Sequence, residues 1–218
     1  MKDQIIEAIG KHKIIAIIRG VPKEKLIPLA QALYDGGIRL MEITYSADGK
    51  VSDQDTAGAI GELAAKFKGK MFIGSGTVLT AQQVRLTAEA GGQFIISPNT
   101  DEEVIKESNR LGLVSIPGAL TPTEIAFAHK SGADFVKVFP VTSLGPEYIK
   151  AVSAPLSHIK LLAVGGIHTG NMKEYLSCGI RGFGIGSNIT DKKMIRENDW
   201  NGITELAKKY VAEVSDVE

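Results

Sequence analysis

Residues 121–140 read TPTEIAFAHKSGADFVKVFP and contain one complete helix-and-strand unit. Thr121 followed by Pro122, with Glu124 three residues after the threonine, is typical of the start of a helix. Ser131-Gly132 is typical of a helix end, where glycine accepts a left-handed backbone. Phe135–Phe139 is short, β-branched and aromatic, and predicts a buried strand. The stretch therefore predicts one repeat of an α/β fold.

The same unit recurs along the whole chain. Eight short apolar runs predict strands at Ile14–Ile18, Leu40–Thr44, Met71–Gly74, Phe94–Ser97, Val114–Pro117, Phe135–Phe139, Leu161–Val164 and Gly182–Ile185. Amphipathic helical stretches lie between them, which predicts a parallel sheet. We expect an α/β protein with a (β/α)8 TIM barrel, in a single domain of residues 1–218. Residues 1–12 form an extra N-terminal helix in this prediction, and Trp200–Tyr210 forms the last outer helix. An open doubly wound sheet is the structural alternative.

Composition excludes several classes of partner. The chain has 25 Lys+Arg and 25 Asp+Glu residues, so no net field attracts nucleic acid or an anionic membrane. No apolar run approaches the ~18 residues that a transmembrane helix needs. The start of the chain lacks the pattern of a signal peptide, and Cys178 is the single cysteine. We expect a cytoplasmic protein.

Lys137 is the most informative residue, because it lies in an apolar strand. Burial removes the hydration of an ammonium and lowers its pKa, and a neutral amine can form a Schiff base with a carbonyl. The alternatives are a lysine that reaches water from a strand end and a lysine in a structural ion pair.

Glu42 is a second charged residue inside an apolar strand, Leu40–Thr44. If both side chains point inward, Glu42 and Lys137 offset each other's burial. Glu42 is then either a general acid/base beside the lysine or half of a structural salt bridge.

Glycines follow the last two predicted strands. Gly165-Gly166 comes after the seventh strand and Gly186-Ser187 after the eighth, where TIM barrels commonly bind phosphate through backbone N–H groups. The segment 72–77 predicts a similar but weaker turn after the third strand. Arg19 ends the first strand and is either a donor to a carboxylate or phosphate, or a solvated loop residue.

The histidines do not predict a metal site. His12, His129, His158 and His168 have no mutual spacing typical of metal ligands, and a zinc-type site needs three clustered ligands. We therefore expect neither a metal nor another cofactor.

The motifs together resemble those of the class I aldolases of 2-keto-3-deoxy-6-phosphogluconate (KDPG) and 4-hydroxy-2-oxoglutarate. The resemblance runs from Ile14 to about Asn188 and is carried by IIAIIRG at 14–20, GGIRLMEIT at 36–44, IGSGTVLTAQQV at 73–84, FIISPNT at 94–100, SIPGALTPTE at 115–124, FVKVFP at 135–140, VGGI at 164–167 and GIGS at 184–187.

That resemblance implies a role for each candidate residue. Lys137 is implied as the Schiff-base lysine and Glu42 as the acid/base. Substrate-binding residues are implied at Arg19, Thr77, Pro98, Phe139 and Val164, and phosphate-binding residues at Gly165, Gly166, Gly186 and Ser187. The implied partners are a 2-keto-3-deoxy sugar-acid phosphate and pyruvate, and the implied assembly is a homotrimer.

Two positions depart from the phosphogluconate pattern. Val164 stands where a threonine often precedes the glycine pair, and Tyr45-Ser46 replaces a segment that often carries arginine. The valine resembles the phosphogalactonate branch, so the implied substrate is KDPG or its galactonate epimer. A phosphosugar isomerase or epimerase and a non-catalytic phospholigand-binding barrel remain as alternatives of other classes.

Overall fold

The structure is a computed structural model that describes residues 2–215. Ten helices occur in this range: α1 Lys2–His12, α2 Lys23–Asp35, α3 Asp53–Lys66, α4 Ala81–Glu89, α5 Glu102–Arg110, α6 Pro122–Lys130, α7 Gly145–Ser153, α8 Met172–Ser177, α9 Lys192–Glu197 and α10 Trp200–Ser215. Nine strands occur in it: β1 Ile14–Ile18, β2 Leu40–Thr44, β3 Phe72–Gly76, β4 Phe94–Ile96, β5 Val114–Ile116, β6 Gly118–Ala119, β7 Val136–Val138, β8 Leu161–Val164 and β9 Ile180–Ile185.

The strands form one parallel sheet that curves into a barrel. Their order is β5-β4-β3-β2-β1-β9-β8-β7-β6, so the first strand pairs with both the second and the last. This order confirms the predicted TIM barrel and excludes the doubly wound alternative.

The fifth predicted strand is interrupted, which explains why nine strands are found instead of eight. β5 pairs with β4 and β6 pairs with β7, and Pro117 lies between them. Proline has no N–H for the ladder, so regular pairing stops there. The carbonyl of Pro117 still accepts from the Lys137 N–H at 2.9 Å, which links the two edges of the barrel.

Side chains alternate between the two faces of the barrel wall. Outward residues such as Ala16, Val136 and Val138 belong to the large core between sheet and helices. Inward residues such as Phe94 and Phe135 form a second cluster with residues of α1.

The N-terminal helix therefore closes the amino end of the barrel and leaves the carboxyl end open. The predicted extra helix is confirmed at Lys2–His12, and Met1 lies outside the described residues. None of the helices within residues 2–215 is long and apolar enough to cross a membrane.

Candidate active site

Glu42 and Lys137 point into the barrel from β2 and β7. Lys137 pairs in register with Gly118 and Leu162, and its strand neighbours Val136 and Val138 face the outer core. The alternation of a strand then places Lys137 inside. Lys137 is 7% exposed and Glu42 3%.

The two charged side chains are near each other but are not joined as an ion pair. Within the described residues, no ion pair of 4.0 Å or less includes either group. Glu42 Oε2 is buried and has no hydrogen-bond partner among residues 2–215. If the pair had only a structural role, a direct salt bridge between the Glu42 carboxylate and the Lys137 ammonium would be expected, because an unpaired buried charge is costly. This geometry therefore favours the catalytic interpretation of the pair over the structural one.

Burial moves the pKa values of both groups toward neutrality. It raises the pKa of Glu42 to about 7, and the nearby charges of Lys137 and Arg19 oppose the rise. It lowers the pKa of Lys137 to about 8, against the effect of Glu42 and with a smaller contribution from Arg19 in the same direction. Near neutral pH, the carboxyl group can therefore both give and take a proton, and part of the lysine is a free amine.

Gly76 provides the space in which the Glu42 carboxylate lies. A Cβ at position 76 would overlap Glu42 Oε1 and would lie 2.6 Å from its Cδ. The predicted end of the third strand at Gly74 is wrong, because β3 extends through Gly76 and this last glycine lies against the Glu42 carboxylate.

Arg19 and Thr77 meet at the rim above this pair. The Arg19 guanidinium donates from Nη2 to Thr77 Oγ1 at 3.2 Å. Thr77 has a φ of +55°, a left-handed conformation that non-glycine residues seldom adopt. Gln83 fixes this loop, because its Oε1 accepts from the Leu79 N–H at 2.8 Å and its amide donates to Asp53.

A cleft of about 950 Å³ opens at the carboxyl ends of β1, β8 and β9. Seven predicted site residues line it: Arg19, Phe139, Val164, Gly165, Gly166, Gly186 and Ser187. Gly165 and Gly166 have φ angles of +97° and +71°, which glycine adopts without steric cost.

Pro98 does not line this large cleft. It lines a smaller neighbouring cleft of about 300 Å³ with Asn99 and Gly118. Phe139 borders both clefts, and Lys137 Nζ lies 4.8 Å from the centroid of its ring. The aromatic ring therefore covers the lysine at the boundary between the two clefts.

Several residues of the large cleft were not predicted from the sequence. Asp48, Lys50, Lys192 and Arg196 line it, although they belong to segments after β2 and β9 that carry no recognisable motif. Tyr45, one of the two departures, lies outside the barrel interior: it is buried, and its hydroxyl contacts Thr87 Oγ1 at 3.0 Å.

The site is built from side chains and backbone groups of the barrel. No cluster of three or more potential metal ligands is present in the part of the chain that the structure describes.

Comparison with known proteins defines the class to which this barrel belongs. The family model described as "Aldolase: KDPG and KHG aldolase" matches residues 5–206. The probable 2-dehydro-3-deoxy-6-phosphogalactonate aldolase of Rhizobium meliloti is 36% identical over 180 residues, 82% of each chain. The 2-dehydro-3-deoxy-phosphogluconate aldolase of Haemophilus influenzae is 32% identical over 215 residues, 95% of each chain.

A solved structure from the same family is also similar to this chain. KDPG aldolase from Legionella pneumophila, with pyruvate captured as a covalent carbinolamine intermediate, superposes with a TM-score of 0.82 at 30% identity, covering 93% of this chain and 96% of its own. The chain belongs to the KDPG and KHG aldolase family.

Proposed function

We propose that this protein is a class I aldolase that cleaves 2-keto-3-deoxy-6-phosphogluconate to pyruvate and glyceraldehyde 3-phosphate. The observation that carries the proposal is Lys137, a buried lysine with a pKa lowered to about 8, next to a buried carboxyl whose Oε2 has no partner within the described residues. A phosphosugar isomerase or a binding barrel has no need of a neutral amine on β7. The covalent pyruvate adduct in the Legionella relative supports the same chemistry.

In the proposed reaction, the neutral Lys137 amine attacks the C2 carbonyl of the substrate. The carbinolamine takes up one proton from solvent at its hydroxyl, loses water and becomes a cationic imine, which is an electron sink for the next step. Glu42 takes the proton of the C4 hydroxyl, the C3–C4 bond breaks, and the aldehyde leaves. The bonding electrons form an enamine on the lysine.

Glu42 then returns its proton to C3 of the enamine. Water adds to the resulting imine, pyruvate leaves, and Lys137 is again a free amine. The water lost in imine formation is thereby consumed again, and the proton taken up in that step returns to solvent. The raised pKa of Glu42, about 7, suits a group that must first accept and then donate a proton.

The remaining candidate residues are proposed to bind the two ends of the substrate. Arg19 is close enough to affect the pKa values of both Glu42 and Lys137, so we assign it to the carboxylate next to C2. The turns at Gly165-Gly166 and Gly186-Ser187 line the large cleft and are assigned to the phosphate.

Val164 favours the galactonate epimer as an alternative substrate. It lines the cleft with two methyl groups and offers no hydroxyl to the substrate. Two relatives, from Rhizobium meliloti and Escherichia coli, are named as phosphogalactonate aldolases. Competition between the two epimers in one assay, read as a ratio of kcat/KM values, decides between them. Cleavage of 4-hydroxy-2-oxoglutarate to pyruvate and glyoxylate needs the same Lys137 and Glu42 and is proposed as a side activity.

We propose a cytoplasmic homotrimer. The proposal of an oligomer is supported by exposed apolar side chains on one side of the barrel, among them Phe127 at 46% and Leu120 at 36% exposed, both of which border the smaller cleft. Sedimentation equilibrium of the purified chain gives its mass directly, and a monomeric mass would remove this proposal.

The test of the aldolase proposal is borohydride reduction in the presence of pyruvate, followed by peptide mass mapping. We expect a pyruvate-derived adduct on Lys137 and no adduct in Lys137→Ala, with turnover reduced by at least about 10⁴-fold. Lys160→Ala is the matched control, because Lys160 lies just before β8 with its Nζ 5.5 Å from the Phe135 ring. An adduct on no residue of the folded protein would refute the Schiff-base mechanism, and an adduct on another lysine would refute the assignment to β7.

A further inference from the structure

The loop after β2 places two opposite charges at the mouth of the large cleft. Asp48 and Lys50 both line it, as do the glycine turns at Gly165 and Gly186. Lys50 Nζ lies 2.6 Å from Asp48 Oδ2, and the lysine side chain is 82% exposed. The Lys50 ammonium is therefore paired with a carboxylate of its own loop at the edge of the cleft, where the exposed lysine side chain is able to leave it for another anion.

Asp48 is fixed by its own loop. Its Oδ1 accepts from the Ser46 hydroxyl at 2.6 Å and from the backbone N–H of Lys50 at 3.3 Å. The bonds from the Lys50 and Ser46 side chains keep the pKa of Asp48 below its usual value. The carboxylate thus stays charged and holds the turn, while the long side chain of Lys50 can turn toward another anion.

Five cationic side chains line the cleft, Arg19, Lys25, Lys50, Lys192 and Arg196, and two of them are already engaged. The Lys25 ammonium donates hydrogen bonds to the backbone carbonyls of Ile195 and Arg196, at 2.9 Å each. Arg19 donates to Thr77 near the lysine end of the site. A phosphate dianion at the glycine turns gains most from a cation that can reach it, because charge-assisted hydrogen bonds are about twice as strong as neutral ones.

We propose that Lys50 binds the terminal phosphate of the substrate by exchanging Asp48 for the phosphate, and that Asp48 competes with the substrate for it. The inference rests on the proposed aldolase function and adds a specificity-determining residue to its phosphate end. No covalent bond is made or broken in this exchange. The loop between Ser46 and Lys50 then discriminates phosphorylated from unphosphorylated keto acids.

The exchange predicts effects of opposite sign for the two partners. Lys50→Gln should raise KM for the phosphorylated substrate about tenfold, with kcat changed less than about twofold. Asp48→Asn keeps the acceptor that holds the turn but removes the competing charge, so it should lower KM about twofold to threefold. Lys23→Gln is the matched control, because Lys23 pairs with Glu62 outside the cleft, and its KM should equal that of the wild type.

Two readouts separate this inference from the proposed function. Half-saturation of borohydride trapping by pyruvate, which carries no phosphate, should be the same in Lys50→Gln and wild type. Binding of inorganic phosphate, measured by calorimetry without turnover, should weaken in Lys50→Gln and tighten in Asp48→Asn. Failure of trapping in the wild type would refute the aldolase, and the phosphate titration would still test Lys50. Equal phosphate affinity in all variants, or a higher KM in Asp48→Asn, would overturn the role of Lys50.

Discussion

Replacing Gly76 with alanine tests whether the position of the Glu42 carboxylate sets the rate. The backbone of Gly76 has no positive φ, so alanine brings no backbone strain and its effect is steric. The new Cβ would lie 2.6 Å from Glu42 Cδ, where carbon atoms normally approach to ~3.5 Å or more, so the carboxylate must move by about 1 Å. Displacement of a catalytic group by about 1 Å can cost about 100-fold in rate.

The expected result for Gly76→Ala is a kcat about 100-fold lower with a nearly unchanged KM. Pyruvate trapping on Lys137 should persist, because the lysine is not displaced. Gly58→Ala is the control: its Cβ meets nothing within 4 Å in α3, and it should leave kcat unchanged. Steady-state kinetics and urea unfolding of both variants separate lost activity from lost stability, which overpacking lowers by about 1–3 kcal/mol.

A double-mutant cycle shows whether the alanine acts through the carboxylate. Glu42→Gln should lower turnover about 10² to 10⁴-fold while still forming the adduct, since it removes the acid/base but not the amine. Adding Gly76→Ala to that variant should cost little more, because no carboxylate remains to be misplaced. If Gly76→Ala reduces kcat as much in the Glu42→Gln variant as in the wild type, or reduces it in neither, the proposed steric effect on Glu42 is refuted.

Two further predictions concern stability. The pKa of Glu42 rises to about 7 on folding from its ordinary value of 4.5, so the folded state holds a proton that the unfolded state loses, and stability falls as pH rises from about 4.5 to about 7. Urea titrations should show this fall, on the order of 3 kcal/mol, in the wild type and not in Glu42→Gln; parallel curves would contradict the raised pKa. Tyr45→Phe loses the hydroxyl contact with Thr87 and should cost about 1 kcal/mol of stability with nearly unchanged kcat, since Tyr45 packs outside the barrel; a large loss of kcat would place Tyr45 in the site.

The barrel could be predicted because its signals are local. Capping residues, glycine stops and short β-branched runs each occupy a few neighbouring positions, as in 121–140. The capping box predicted at Thr121 is present, with both of its reciprocal bonds. The interruption at Pro117 could have been predicted from the missing N–H alone, whereas the strand ends depend on pairing with neighbours that the local sequence does not specify.

The candidate site could be predicted only where an unusual residue lies in a regular element. Lys137 and Glu42 were visible as charges in apolar strands, but the room that Gly76 gives to Glu42 depends on two strands meeting side by side. Lys50 lies in an exposed polar loop, where a lysine is ordinary, so only its place in the folded cleft distinguishes it from other surface lysines.

The position of the cleft follows from the size of the side chains inside the barrel. Bulky residues, such as Phe94 and Phe135, fill the amino end together with α1. β9 instead has glycine at its inward positions 182 and 184, and Gly186 follows the strand. At these positions β9 therefore contributes no side chain to the barrel interior. A Cβ at Gly184 would lie 2.8 Å from Val164 Cγ2, which means that the valine already occupies part of the space that this glycine leaves. Because TIM-barrel interiors are normally packed, a run of inward glycines on one strand is what opens a cleft on that side, and the residues that border it, Val164 and the glycine turns, are those to which the proposed function assigns the substrate.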